Sequence, residues 1–536
     1  MASVNTNDLR VRNAKNLIDS FTKDESYVFI GKATQWDSDI TVPMVSRQEA
    51  GDNSPPLPLN NDSDFYTIWD NMLSLKKVDV NKVFYMLPKV SWTSGVVYDY
   101  YRHDYSSSNR SNSNATSLFE SVFYVVNQER NVYVCLDNNK NSQSLVEPMS
   151  TGDLPFHTSD GYQWLRIYKV SAYNMMNFST NNLMPVEDLN ANYQEFGQVF
   201  TVIVNSQGND YTTSPTGYTN QVPYYFCNIV GDGRGAVARV YIDSGKITKV
   251  RVERYGVGYT KAKLDFTPNR VYTSLIDLDN KQNGVNPLGD GTFVSTVIIG
   301  PRNGWGCNRN PQVSPVDGVS NVSTQDNIRD CKFQLAKQLG GTRVCVFSDL
   351  KYNDNDFIEN TQFRQIGIIQ DIVGHRRIDS LGQITSPETL SAVKAIKVNR
   401  PRGKSSEFYV GETITQIVED RNDPNVTHNA IGTVVGWTET EYYYILRYIQ
   451  DHTKHTDEDG NMYHFRGLLN IEGDTSGAET TPDDTFSGEL DDLTFRIGFA
   501  EPEVLPYTGT LTYITNLAPV QRVNTQTERI SLLIAY

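Results

Sequence analysis

The run Gln362-Phe363-Arg364-Gln365-Ile366-Gly367-Ile368-Ile369 constrains the chain most. It is a short apolar stretch with a polar start and a glycine inside it. That pattern predicts a buried strand with a close backbone approach at Gly367. It lies between an Asn- and Asp-rich stretch at 352–356 and a basic turn, His375-Arg376-Arg377.

Strand-like runs recur along the chain. Ser26 to Gly31 reads as one, and Val83 to Pro88 as another, stopped by its proline. Phe123 to Val126 and Asn131 to Leu136 read as a hairpin turning at 127–130, and Asp160 to Tyr168 as a turn feeding an aromatic strand. Helical spacing appears in three places. Ala14, Leu17, Ile18 and Phe21 form one stripe; Phe65, Ile68, Trp69, Met72 and Leu75 form a second, starting at Asp64; Ile328, Cys331, Leu335 and Leu339 form a third, stopped by Gly340. The Ser/Asn-rich stretch 105–116 predicts a mobile surface loop, and the acidic stretch 472–492 a solvated one.

Two segments are wholly β in pattern. In the first, about 200–265, Gly208-Asn209-Asp210-Tyr211-Thr212 is echoed by Gly256-Val257-Gly258-Tyr259-Thr260. Alternating runs Ala236 to Ile242 and Lys246 to Val252 lie between these echoes, joined by the hairpin signal Asp243-Ser244-Gly245. The second runs from Phe408 to about Ile471, with Gly432 to Trp437 and Tyr442 to Ile449 as its clearest strands. With 31 Tyr and 22 Phe in 536 residues, the fold class expected is mainly β with a few short helices, a minor α+β component. We expect a multi-domain β-sandwich or layered-sheet architecture with two inserted small β modules.

Charge and cysteine usage exclude several functions. Asp plus Glu outnumber Lys plus Arg by 63 to 48, a net charge of -15, which lacks the basic footprint that nucleic acid or an anionic membrane requires. The residues Met1 to Asp8 are polar, with no secretory signal expected, and no apolar run reaches the ~18 residues of a membrane span. The cysteines Cys135, Cys227, Cys307, Cys331 and Cys345 are odd in number, widely spaced and without CxxC, which predicts buried free thiols.

Candidate chemistry is sparse. His452-x-x-His455, followed by Asp457-Glu458-Asp459 and His464, has ligand types suited to a divalent metal, but on a polar turn without HExxH; a solvated loop is the favoured reading. Asp277-Leu278-Asp279-Asn280 opens like a calcium loop, yet Leu288 occupies the position that requires a bidentate Glu, so a turn is expected. Gly231-Asp232-Gly233-Arg234-Gly235 has no Lys-Ser/Thr follower and leads into a strand, so glycine corners explain it better than a phosphate cradle. GxSxG is absent, and Cys307 or Cys345 with a distant histidine carries no specific signal. No catalytic, cofactor-binding or metal residue is assigned, and no cofactor is expected.

Five stretches, in order, resemble the baseplate wedge protein of T-even-type contractile-tailed bacteriophages, in an enlarged form like that of the cyanophages. They are Leu17 to Phe21 with Tyr27 to Gly31 and Trp36; Phe84 to Trp92 with Tyr98 to Tyr105; Gly152-Asp153 with Asp160-Gly161-Tyr162-Gln163-Trp164; Phe363 to Ile366; and Tyr513 to Val520 with Gln526 to Tyr536. The run Gly300 to Gly306 also looks like a glycine-rich loop of that family. The resemblance covers about half of the chain and leaves the two β segments as insertions. It implies an N-terminal wedge core over 1–199, an inserted module over 200–270, a second core region over 271–405, an inserted module with an acidic loop over 406–500, and C-terminal strands over 501–536.

The resemblance further implies a virion protein of the tail baseplate, assembled in the host cytoplasm. It would be a homodimer contacting the other wedge proteins, with no enzymatic step, nucleic acid, membrane or small-molecule substrate. The terminal run with Ile530, Leu532 and Ile534 reads as an ordinary core strand or as one that pairs with a partner's sheet edge. Two other classes stay open on the residues: a carbohydrate-binding or carbohydrate-active tail-associated receptor-binding protein, and a metal-stabilised module around His452 to His464.

Overall fold

A computed structural model of the chain describes residues 7–36, 52–58, 62–152, 154–187, 197–215, 221–301, 305, 332–351, 360–374, 377–378, 384–385, 388–420, 423, 425–491, 493–523 and 526–536. The fold is mainly β, and every strand pair whose register is described is antiparallel. Contacts divide the chain into two compact units. One comprises Met1–Leu17, Phe84–Cys345 and Leu533–Tyr536; the other comprises Ile18–Val83 and Val346–Leu532. Among the described residues, no helix is long and apolar enough to cross a membrane.

The second unit is organised by the strand Gln362–Gln370. It lies inside a five-stranded sheet, in the order Thr389–Ser391, Met72–Lys77, Ser26–Gly31, Gln362–Gln370, Thr510–Gln521. From Phe363 to Gln370 every residue is buried. Gly367 sits opposite Phe29 on one side and Ile514 on the other. A Cβ there would meet the Phe29 ring and the Tyr513 carbonyl oxygen at 2.5 Å. Only glycine leaves room for both, as the sequence pattern implied. Tyr27, Phe29, Ile68, Trp69, Leu75, Ile369 and Leu390 form the core on this sheet.

The same strand buries a cation. Arg364 is 2% exposed, yet its guanidinium is answered on several sides. Nε and Nη2 form a bidentate pair with Asp52 at 2.8 and 2.9 Å, Nη1 donates to the Ala33 carbonyl at 2.6 Å, and Nη2 also reaches Gln362 Oε1 at 2.6 Å. A buried guanidinium is tolerated only when its donors are matched in this way. The hydrogen bond from Arg364 holds the Asp52 carboxyl below the usual carboxylate range.

The second helix stops earlier than its apolar spacing predicts. It spans Asp62–Asp70, and Met72 and Leu75 lie instead on the strand Met72–Lys77, paired with Ser26–Gly31. Asn71 closes the last turn, its backbone N–H and its side-chain amide both donating to the Thr67 carbonyl. Apolar residues three apart fit a helix and, with one more, a strand face; here the sheet's demand for a partner decided between them.

An eight-stranded sheet completes this unit, running from Arg402–Gly403 at one edge to Phe499–Ala500 at the other. Its centre is Thr413–Glu419, Thr427–Glu439 and Tyr444–Ile449, packed over Ile414, Val434, Leu446, Tyr448 and Ile471. It also takes in Lys394–Val398, ahead of the expected boundary at 406. The acidic stretch 472–492 is not a solvated loop. It contains the strands Ala478–Thr480 and Gly488–Leu490, and Ala478 and Ser476 are buried. The cause is Glu412, whose buried carboxylate accepts from the N–H groups of Thr475 and Ser476 and from the Ser476 hydroxyl at 2.8–3.1 Å. The terminal strand Glu528–Ala535 alternates as expected, with Ile530 and Leu532 buried within the chain. Arg522 anchors its start, donating to Glu528 at 2.8 Å and to the Lys351 carbonyl at 3.0 Å.

In the first unit the predicted hairpin forms, Tyr124–Val126 against Asn131–Asp137, and Gln163–Lys169 extends it. Its core stacks Tyr162 on Trp164, centroids 5.4 Å apart, with the Tyr98 and Trp164 rings edge-to-face at a centroid separation of 6.0 Å. The glycine-cornered segment follows. Arg234–Asp243 and Lys246–Val257 pair across a turn in which Ser244 and Gly245 both have positive φ, the signature of a tight hairpin. This core reaches past 270, because Val294–Ile299 pairs with Val199–Ser206 and buries Val297 and Ile299 in it. The first helix, Asn7–Lys23, buries the expected stripe, and residues 332–338 form the third, 327–331 lying outside the described residues.

Replacing Gly367 by alanine is expected to lower unfolding free energy by about 1–3 kcal/mol, through forced movement of Phe29 and of the Tyr513 backbone. Urea titration of both proteins checks this; coincident midpoints would show that the close packing at 367 is not constraining.

Candidate functional site

Among the described residues, the clearest convergence of ionisable groups lies in the second unit, where the end of the helix Asp62–Asp70 meets the turn after Tyr444–Ile449. Ligand atoms of Asp70, Asp451 and His452 all fall within 4.8 Å of one another. His452 donates its backbone N–H to Asp70 Oδ2 at 2.9 Å, and its ring Nδ1 lies 2.5 Å from the same oxygen. Tyr507 donates its hydroxyl to Asp70 Oδ1 at 2.6 Å. Asp451 Oδ2 accepts from the Asn71 amide at 2.7 Å, and Oδ1 from the Thr453 N–H and hydroxyl at 2.9 and 2.6 Å. Tyr66 flanks the cluster edge-on to both Tyr507 and His452.

Two carboxylates this close repel unless donors surround them. Burial pushes the Asp451 carboxyl up, but the hydrogen bonds from Thr453 and Asn71 outweigh it and hold it below its ordinary value. Burial and the bond to Asp70 push the Tyr507 hydroxyl well up, so it stays a donor. Asp70, Asp451 and His452 are the residues that would hold a cation. Each carboxylate oxygen is already answered, and a metal entering between them has to displace the imidazole from Asp70 or the amide from Asp451. As built, the cluster is a hydrogen-bonded clamp joining the helix end, the turn and the residues near 507.

The histidines singled out in the sequence do not converge. His455 is buried, not solvated: its Nδ1 accepts from the Asp451 N–H at 2.7 Å, which leaves the proton on Nε2, 2.9 Å from Thr433 Oγ1. His464 contacts Gln450 and Lys394 instead. Asp457 caps its own turn, accepting from the N–H groups of Asp459 and Asn461. Only His452 enters the cluster. Its partner Asp70 lies 382 positions away, and no local pattern marked it.

The other candidates resolve structurally. Asp277 to Asn280 belongs to the short helix Leu275–Asn280 rather than a turn, capped by Ser274, and Asp279 makes a bidentate pair with Arg254 at 2.6 Å. Gly231 to Gly235 is a strand corner: Asp232 accepts from the N–H groups of Thr260 and Lys261, and a Cβ on Gly233 would strike the Tyr259 ring at 2.4 Å. Cys135, Cys227 and Cys345 are buried free thiols, and burial raises each of them; Cys307 and Cys331 lie outside the described residues.

Beside the clamp is a cavity of about 210 Å3, into which Asp451 and Thr453 also face. Trp36, Pro56, Leu57 and Ile68 give it apolar walls, while Gln365 and Asn516 come from the adjacent strands Gln362–Gln370 and Thr510–Gln521 at one side of the five-stranded sheet. Sequence reasoning marked Gln365 only as part of a strand. No protein-family model matches this sequence, and no curated protein matches it.

Burial pushes the His455 imidazole below the ordinary value of 6.5. The unfolded chain then takes up a proton before the folded one does, so stability is full above about pH 6.5 and falls as the pH drops toward the folded value. Replacing His455 by glutamine should flatten that part of the profile. Denaturant unfolding of both proteins between about pH 7 and about pH 5 measures it; parallel slopes would mean His455 does not titrate with folding.

Proposed function

We propose that the chain is a structural subunit of the baseplate wedge of a contractile phage tail. In this reading it is a homodimer that contacts the other wedge proteins, with no chemical step of its own. One observation carries the reading. Tyr27 to Gly31, Phe363 to Ile366 and Tyr513 to Val520, the separate stretches in which we read a resemblance to the wedge protein, lie side by side in one sheet. Trp36, which belongs to the first of these stretches, donates its indole N–H to the Leu517 carbonyl at 3.1 Å. In the other unit, Tyr98, Tyr162 and Trp164, from two further stretches, share a core. Segments that resemble one family in order and then pack together suit a scaffold inherited as a whole.

The chemistry agrees with that role. Among the described residues, the Asp70, Asp451 and His452 cluster has its carboxylates closed by hydrogen bonds, as a clamp needs. A net charge of -15 keeps such a subunit soluble before its surfaces are covered.

Light scattering on the purified chain at micromolar concentration should give the mass of a dimer; a strict monomer would count against this reading. Deleting Glu528 to Tyr536 removes the buried Ile530 and Leu532, each contributing about 1.5–3 kcal/mol, and should abolish folding or incorporation into virions. A truncated chain recovered in intact tails would show the strand to be dispensable.

A further inference from the structure

We propose that the outer face of the glycine-cornered segment docks on the acidic stretch 472–492 of a second copy of the chain. The inference rests on the dimer reading and adds the surfaces that meet. The hairpin Arg234–Asp243 and Lys246–Val257 carries six basic and two acidic residues, in a chain whose net charge is -15. One set of alternating residues, Ala236, Ala238, Val240, Ile247 and Val250, is buried in the core of the segment. The other set lies on the outer face, where Arg239 stands directly opposite Arg251 and Tyr241 opposite Lys249. Like charges placed opposite each other across two strands are destabilising. Glu253 answers only one of them, pairing with Arg239 at 2.9 Å. Arg251 and Lys249 are exposed, and among the described residues neither has an ion-pair partner. Burial and the Arg251 charge push the Lys249 ammonium below its ordinary value, against the pull of Asp137.

The face is also shaped for carboxylates. Arg239 sits over the Tyr224 and Phe226 rings at 4.7 and 5.0 Å, and Arg251 over Tyr241 at 5.9 Å. A guanidinium seated over a ring is held in position while its N–H edge stays free for a carboxylate. The stretch 472–492 supplies the opposite sign, with eight acidic residues and no basic one. Asp483 and Asp491 are closed by Lys397 and Arg447. Glu472 and Glu479 stand directly opposite each other on the strands Ile471–Gly473 and Ala478–Thr480, both exposed, and the one basic neighbour in their row is Arg402. Beside them Ile497, whose N–H donates to Ser487, is 57% exposed and held at a φ of 53°, a region that β-branched residues avoid. It gives the acidic surface an apolar contact point. Two copies cannot meet module to module, since cation would face cation. In a two-fold dimer the cationic face of each meets the acidic stretch of the other.

The test measures dimer dissociation of the full chain by light scattering over a dilution series. Lys249→Glu combined with Arg251→Glu should raise the dissociation constant about tenfold or more, with the melting curve unchanged. Glu472→Lys combined with Glu479→Lys should do the same. An equimolar mixture of the two variants should restore the dimer, because each then presents the sign that the other lacks. If either double variant does not fold, the neutral changes Arg251→Gln and Glu479→Gln, both at exposed positions, should each weaken the dimer about threefold and decide instead. A dimer that withstands every charge change, or a weakening that mixing does not reverse, overturns this contact and leaves the dimer reading standing. A strict monomer of the unsubstituted chain overturns both.

Discussion

A strand covered on both sides and both faces has no freedom left, and Gln362–Gln370 is in that position. Phe29 and the Tyr513 backbone close on Gly367 from the neighbouring strands, so the sheet is drawn together at a point where no side chain intervenes. Close packing of this kind transmits any misplacement to its neighbours. Arg364 then adds a polar condition to the steric one. Its guanidinium is buried and has to find Asp52 and the Ala33 carbonyl, which fixes the path of the chain beyond Ser26–Gly31 as well. Steric fit at 367 and charge matching at 364 both hold this strand against the segment that starts at Ser26–Gly31, and such agreement between levels favours a unique fold.

Much of this was legible in the residues. The glycine in an apolar run, the proline ending Val83–Pro88 and the Ser244-Gly245 turn each act locally, through backbone conformation, and each appears where its pattern placed it. Failures came where a distant partner decided. Met72 and Leu75 suit helix or strand equally, and only the unpaired edge of Ser26–Gly31 selected the strand. The stretch 472–492 looked solvated because its acids are many, yet one buried carboxylate, Glu412, gathers the backbone around Ser476 and lets strands form.

The site was less legible than the fold for the same reason. Histidines spaced three apart drew attention to His452 and His455, but their roles differ entirely. His455 is locked to its own turn and to Thr433, whereas His452 faces Asp70. Nothing near Asp70 or Asn71 in the sequence signals that both will meet Asp451 and its neighbour. Gln365 shows the same limit in a sharper form. Its place in a strand was readable, but its pairing with Asn516, 151 positions away, is a property of the packed interior alone.

The order of the chain has a consequence for how the molecule is made. Trp36 and the Leu517 carbonyl are 481 positions apart, and the strand Ser26–Gly31 has one lateral neighbour that emerges only after residue 370. A ribosome releasing this polypeptide from its N-terminus therefore leaves this apolar ribbon without that neighbour until residues 362–370 emerge. The strand that pairs with its far edge is absent until translation has passed residue 370. Long-range closure of this sort is slow and leaves nascent strands prone to pairing with the wrong edges. Early translation pauses and chaperone capture should thus matter more for yield than the final stability of either unit.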